Sequence, residues 1–242
     1  MTSIGDSAFM GCSSLKSIII PDSVTSIGDS AFYDCDGLTS ITIPDGVTTI
    51  GVETFSFCSW LESVTIPDSV TNIGSYAFYS CSRLTSIIIP NSVTSIGSYA
   101  FGGCFSLTSI TIPDNVTSID NYAFEGCSSL TSITIPDSVT GIGSYAFEGC
   151  SSLTSIIIPD GVTYIGSYAF NYCYSLEVVY YGVTESDWEE IIIGRSNDDL
   201  TAATRYYYSE TQPTEEGNFW HYAEDGVTPV IWIKETTEPC LL

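Results

Sequence analysis

Apolar and polar positions along this chain recur with a period of 23 residues. Written from Leu15 to Gly37, one unit reads L-x-x-I-x-I-P-x-x-V-x-x-I-G-x-x-A-F-x-x-C-x-x, and seven complete copies fill residues 15–175 with a partial copy at each end. In Leu38-Thr39-Ser40-Ile41-Thr42-Ile43-Pro44 the alternation of isoleucines with polar residues predicts a short strand, closed by a proline that has no N–H for a ladder. Pro44-Asp45-Gly46 is turn chemistry, and Val47-x-x-Ile50-Gly51 predicts a second extended segment running into a bend. The three- and four-residue apolar spacing from Ala77 to Leu84 predicts a short helical turn.

A fixed period of this length predicts a solenoid in which each unit forms one coil. One coil has too few apolar side chains to close a core alone, so it gains order by lying against neighbours, its strands joining theirs in register about 4.8 Å apart. The crossover rule for parallel strands predicts a right-handed wind. The repeats predict one domain over 1–181 and a non-repeating α+β cap over 182–242. In the cap, Thr184-Glu185-Ser186-Asp187 has the form of a capping box opening a short helix. Ala203–Ser209 reads as a strand, and Phe219–Ala223 with Val230–Lys234 as a hairpin reached through a polar link at Gln212–Gly217. Met1-Thr2-Ser3-Ile4-Gly5 enters midway through a unit, which leads us to expect a longer precursor.

The motifs L-x-x-I-x-I-P and I-G-x-x-A-F, repeated every 23 residues, resemble the BspA-type leucine-rich repeats of bacterial and some protist surface proteins. The resemblance implies a leucine-rich-repeat solenoid of mostly short parallel β-strands on an extracellular or cell-surface protein, often one that adheres to host proteins or other cells. It carries no catalytic residues. Where many leucine-rich repeats place an asparagine ladder, this chain has Ser23, Gly46, Ser69, Ser92, Asn115, Ser138 and Gly161, so the turn needs different support.

Charge narrows the partners. Five Lys and Arg stand against 29 Asp and Glu, a net charge of −24, which repels phosphate backbones and anionic bilayers and argues against nucleic acid. No apolar run approaches the roughly 18 residues that would insert into a membrane. Basic protein surfaces, cations and neutral glycans remain. His221 is the one histidine and reads as a surface residue of the hairpin; neither a Ser-His-Asp arrangement nor metal-ligand spacing is present. We therefore expect no cofactor and no enzyme, a two-carboxylate glycosidase being the least supported alternative.

Any residue repeated every 23 positions becomes a stripe, and four stripes carry candidate chemistry. Cys12, Cys35, Cys58, Cys81, Cys104, Cys127, Cys150 and Cys173 read as buried free thiols, because in-register stacking holds their Cβ atoms too far apart for easy bridging; Cys240 stands outside the series. Asp22, Asp45, Asp68, Asp114, Asp137 and Asp160 read as turn residues, with calcium a weaker alternative. Two such carboxylates about 5 Å apart in water repel by about 0.8 kcal/mol, which a solvated edge tolerates without a counter-ion. Tyr76, Tyr99, Tyr122, Tyr145 and Tyr168 read either as packing over the core or as a recognition surface. Thr42, Thr65, Thr111 and Thr134, with Ile19, Ile88 and Ile157 in the same row and a parallel row of serines, form an almost uncharged strand face suited to a protein partner and, far less, to ice. The expected function is a non-catalytic adhesion or binding module for a protein or glycan on a cell or host surface, the alternative being a structural spacer or assembly scaffold.

Overall fold

The computed structural model describes residues 1–214 and 216–233. It is a β-solenoid, and each coil over residues 38–175 carries two short parallel strands, whereas residues 15–37 form only the second, Ser26–Ile27. The first strands include Ser40–Thr42, Ser63–Thr65, Ser86–Ile87, Ser109–Thr111, Ser132–Thr134 and Ser155–Ile158, and the second include Thr49–Ile50, Asn72–Ile73, Ser95–Ile96 and Ser118–Ile119. Pairing keeps the register of the repeat: Ser109 opposes Ser132, Ile110 opposes Ile133 and Thr111 opposes Thr134. A one-residue slip would turn every isoleucine out to water, so the alternation itself pins the register.

The core is a set of ladders. Phe32, Phe55, Phe78, Phe101, Phe124, Phe147 and Phe170 are fully buried, and neighbouring rings stack nearly parallel with centroids 5.1–5.6 Å apart from Phe9 onward. Leu, Val and Ile of each unit complete the buried set.

The stretch expected as a helical turn is instead a chain of β-turns, and its backbone explains why. Tyr76 and Ser80 have φ of 59° and 57°, in the left-handed region, and the equivalent positions of the other coils repeat this. Each left-handed residue swings an amide out of the turn. As a result Tyr76, Phe78 and Ser80 donate their N–H groups to Ser98, Ala100 and Gly102 of the next coil at 2.7–2.9 Å, while Ala77, Tyr79 and Cys81 donate back within their own turns. A helix would spend all of these on itself; here half of them tie coil to coil. The left-handed conformation costs a non-glycine residue about 1 kcal/mol or more, and Gly11, Gly103, Gly126 and Gly149 avoid that cost at the second of the two positions.

The support that replaces an asparagine ladder is also visible. Ser69, Ser92 and Ser138 donate their hydroxyls to the carbonyls of Val47, Val70 and Val116 in the preceding coil at 2.5–2.6 Å, and Asn115 reaches the Asn91 carbonyl in the same way. Threonine hydroxyls add a second set of such bonds, among them Thr94 to Thr71 and Thr131 to Thr108.

Cys35 to Cys173 of the stripe are buried and unbridged, and each thiol donates to the carbonyl of the phenylalanine 26 residues earlier, at 3.1–3.3 Å. That carbonyl already accepts from a turn amide, as Phe32 does from Cys35, so the thiol fills its second lone pair. Burial pushes the Cys35 thiol up to about 11 and those of Cys104 and Cys173 to about 12. Cys12, expected in the same buried row, is exposed. Cys240 lies outside the described residues. A thiol reagent at neutral pH should therefore label Cys12 within minutes and leave Cys35 through Cys173 unlabelled until denaturant is added. Rapid native labelling at several of these seven, read by mass spectrometry, would contradict the buried ladder.

Stacking continues past residue 181. Val178–Tyr181 pairs with Ser155–Ile158, Thr204–Tyr208 pairs with Val178–Tyr181, and the hairpin strands Phe219–Tyr222 and Pro229–Ile231 extend the same sheet. The expected capping box is present: the Thr184 hydroxyl accepts from the Asp187 amide at the start of α1, Glu185–Glu189. A second short helix, α2, spans Asp198–Ala202 and has no counterpart in the repeat.

Candidate functional site

The five tyrosines form one stack. Ring centroids from Tyr76 through Tyr99, Tyr122 and Tyr145 to Tyr168 are 4.6, 4.2, 4.5 and 4.8 Å apart, with interplanar angles of 10° or less. Tyr79 packs edge-on against both Tyr76 and Tyr99, and the Arg195 guanidinium lies 5.4 Å from the Tyr168 ring and closes the far end. Gly102 makes room for Tyr79, since a Cβ there would sit 3.0 Å from its ring. Burial, with the Tyr122 phenol beside it, raises the Tyr99 phenol above its ordinary range. Each inner ring thus spends both faces on its neighbours. The faces of Tyr99, Tyr122 and Tyr145 are therefore taken by neighbouring rings, and these three turn edges and hydroxyls outward.

Thr42 and Thr65, and Thr111 and Thr134, are exposed and directly paired on the strand face. Ile88 stands 84% exposed between them and Ile19 93% exposed at one end, in rows of Ser, Thr and Ile that contain no charged residue. Within each coil the Pro-Asp turn and the second strand separate this face from the tyrosine stack, so the two stripes do not form one site. The six aspartates of the Pro-Asp turns are all exposed. Among the described residues no group of three or more His, Cys, Asp or Glu is placed to hold a metal ion.

The cap places residues whose role alternation alone did not settle. Trp220 is fully buried, and its indole N–H donates to the Tyr181 carbonyl at 2.9 Å. Around it stand Tyr180, Tyr208 and Tyr222 at 4.8–5.4 Å. His221, read as a surface residue, is half-buried: its Nδ1 lies 2.8 Å from the Tyr222 carbonyl and its ring 4.0 Å from that of Trp232. In the hairpin Trp220 opposes Ile231 and Tyr222 opposes Pro229, while the expected strand end at Lys234 lies outside the described residues.

The sequence profile of the BspA type leucine rich repeat region matches residues 2–127 and 94–187, which together cover most of the coils. The chain belongs to this family. A crystal structure of a leucine-rich repeat protein from Bacteroides ovatus is similar at 33% identity with a TM-score of 0.65; the match covers 86% of this chain and 59% of that one, so this chain spans less than two thirds of that relative. The leucine rich repeat protein of T. pallidum is similar at 32% identity and a TM-score of 0.59, over 73% of this chain and 72% of that one. A search of curated proteins returns no match.

Proposed function

We propose that this chain is a non-catalytic binding module of a secreted or cell-surface protein, and that its strand face receives a protein partner. The observation that carries this reading is the exposure of Ile19 and Ile88 amid in-register rows of Ser and Thr on an almost uncharged sheet. Large apolar side chains held this far into water on a flat surface favour burial against a partner. Membership of the BspA-type family supports a surface location, and the tyrosine stack, its faces occupied, serves to hold the coils together. A spacer or scaffold would present the same coils with no partner for this face.

The test is an array of host proteins and glycans probed with the intact chain, with Thr111→Lys/Thr134→Lys, and with Tyr99→Leu/Tyr122→Leu/Tyr145→Leu. The strand-face variant is expected to keep its melting temperature and lose protein binding at least ten-fold, whereas the tyrosine variant loses stability. Binding to no protein on the array would favour the spacer, and binding to glycans alone would move the ligand class.

A further inference from the structure

The last two aspartates of the Pro-Asp stripe differ from the first four in what stands over them. Asp137 and Asp160, in adjacent coils, line a cleft of about 230 Å³ with Ile157, Tyr208, Trp220 and Tyr222 of the strand face and the hairpin. Sequence spacing places the two aspartates about one coil apart, on the order of 5 Å; only the fold brings the cap's aromatic rings to them. Trp220 and Tyr222 meet at 4.8 Å and 78°, Tyr208 and Trp220 at 5.3 Å and 69°, Tyr208 and Tyr222 at 5.9 Å and 49°. Two of these pairs meet edge-on and the third is tilted, so none is stacked face to face as the pairs of the tyrosine row are. Both rings are half-buried.

The charge in this cleft is unanswered by the basic residues that the structure describes. Arg83 pairs with Glu62, far along the stack. Arg195 and Arg205 lie over the rings of Tyr168 and Trp188, Lys16 belongs to the first coil, and none of these lines the cleft. Asp187 and Glu190 share a neighbouring cleft with Asp160 and deepen the negative potential. Burial, with Asp137, Tyr208 and Asp160 beside it, raises the Tyr222 phenol above its ordinary range, so the field of the carboxylates reaches the ring.

We infer that this cleft binds the basic side chain of a protein partner, an arginine or lysine whose cation rests against Tyr208 and Tyr222 and is answered by Asp137 and Asp160. Electron-rich aromatic faces beside carboxylates suit an organic cation. A metal ion fits less well, because no three ligating groups among the described residues are placed to hold one. The net charge of −24 draws such a partner in from a distance. This inference rests on the proposed binding role and names a second point of contact for it, at the cap end of the strand face.

The test uses the intact chain and N-acetyl-argininamide, followed by the four tryptophan indole N–H signals in NMR. The Trp220 signal is expected to shift and saturate while that of Trp60, in the third coil, stays. The neutral isostere N-acetyl-citrullinamide is expected to bind at least ten-fold more weakly. Asp137→Asn/Asp160→Asn should weaken arginine binding at least ten-fold, Tyr222→Leu several-fold, and Asp45→Asn/Asp68→Asn, which removes equal charge from the same stripe, less than two-fold. Dispersed indole signals check that each variant folds. Equal binding of the citrulline probe, equal loss in both aspartate pairs, or shifts spread over all four indoles would overturn the inference. A cleft that ignores arginine while the strand face still captures a protein on the array would sink this inference alone. Arginine binding without any array partner would sink the proposed function alone.

Discussion

Between about pH 9 and pH 10.5 the protein is expected to lose its stability, over a window far narrower than simple surface repulsion would give. The cause is the cysteine ladder. An unfolded thiol titrates near 9.0, whereas burial holds Cys35 at about 11, Cys104 and Cys173 at about 12, and Cys58, Cys81, Cys127 and Cys150 well above their ordinary value. Folded values that are raised mean stability fully present below pH 9 and lost as pH climbs toward them, because the unfolded chain releases protons the folded chain keeps. Each thiol then lowers stability by about 1.4 kcal/mol per pH unit, and seven together by about 10 kcal/mol per unit, as much as an ordinary domain possesses. Denaturant midpoints from pH 7 to pH 11, followed by circular dichroism with reductant present, read this directly. Cys81→Ala/Cys104→Ala should reduce the slope by two sevenths. A midpoint that stays level to pH 11 would mean the thiols are not held in a water-free ladder.

How much of this was legible beforehand differs between the coils and the cap, for a physical reason. A single coil is an ambiguous string of short apolar runs, yet seven copies state the register many times over. Cys35, Cys58 and Cys81 can meet one another's coils in only one way if Ile41 and its counterpart in the next coil, Val64, are to face the same core. The strands, the ladders and the thiol row therefore followed from period and alternation. The helical turn did not. Apolar spacing of three and four also fits successive β-turns, and what decides between them is the φ of Tyr76 and Ser80, which neither residue type announces. The tyrosine stripe was visible as a stripe, but whether its faces point at solvent or at one another depends on ring orientation. Interplanar angles of 10° or less show that the rings face one another. The cleft of Asp137 and Asp160 was out of reach, since it needs Tyr222, 62 residues beyond Asp160, to come back over the sheet.

The cap hides its most consequential residue because the period breaks there. Gly194-Arg195-Ser196-Asn197 takes the place that Gly166-Ser167-Tyr168-Ala169 holds one coil earlier, shifted by 28 residues instead of 23. Gly194 donates to the Ile165 carbonyl as Gly166 does to that of Ile142, and the Arg195 carbonyl accepts from Tyr168 as that of Ser167 does from Tyr145. Ser196 repeats the left-handed φ of Tyr168, at 58° against 62°. At the fourth position the mimicry passes to a side chain. In the regular coils Phe147 donates to the Ala169 carbonyl, but Phe170 donates to Asn197 Oδ1 at 3.0 Å, and Asn197 Nδ2 donates to the carbonyls of Gly166 and Gly194 at 2.9 and 2.8 Å. With Asn197 only 3% exposed, water cannot replace these bonds. Asn197→Ala leaves one amide and two carbonyls short of a partner at about 1–3 kcal/mol for the amide and less for each carbonyl, so a total loss of about 3 kcal/mol is expected. The loss should be local. Hydrogen exchange ought to accelerate at Phe170, whose amide loses its acceptor, while Phe78 and Phe101, whose carbonyl partners lie in intact coils, keep their protection. Asn197→Asp preserves the acceptor but not the two donors, and should fall between wild type and alanine at Phe170 while losing as much in overall stability. A variant that loses less than about 0.5 kcal/mol with Phe170 still protected would show that the last coil is closed by packing around α2, not by this amide.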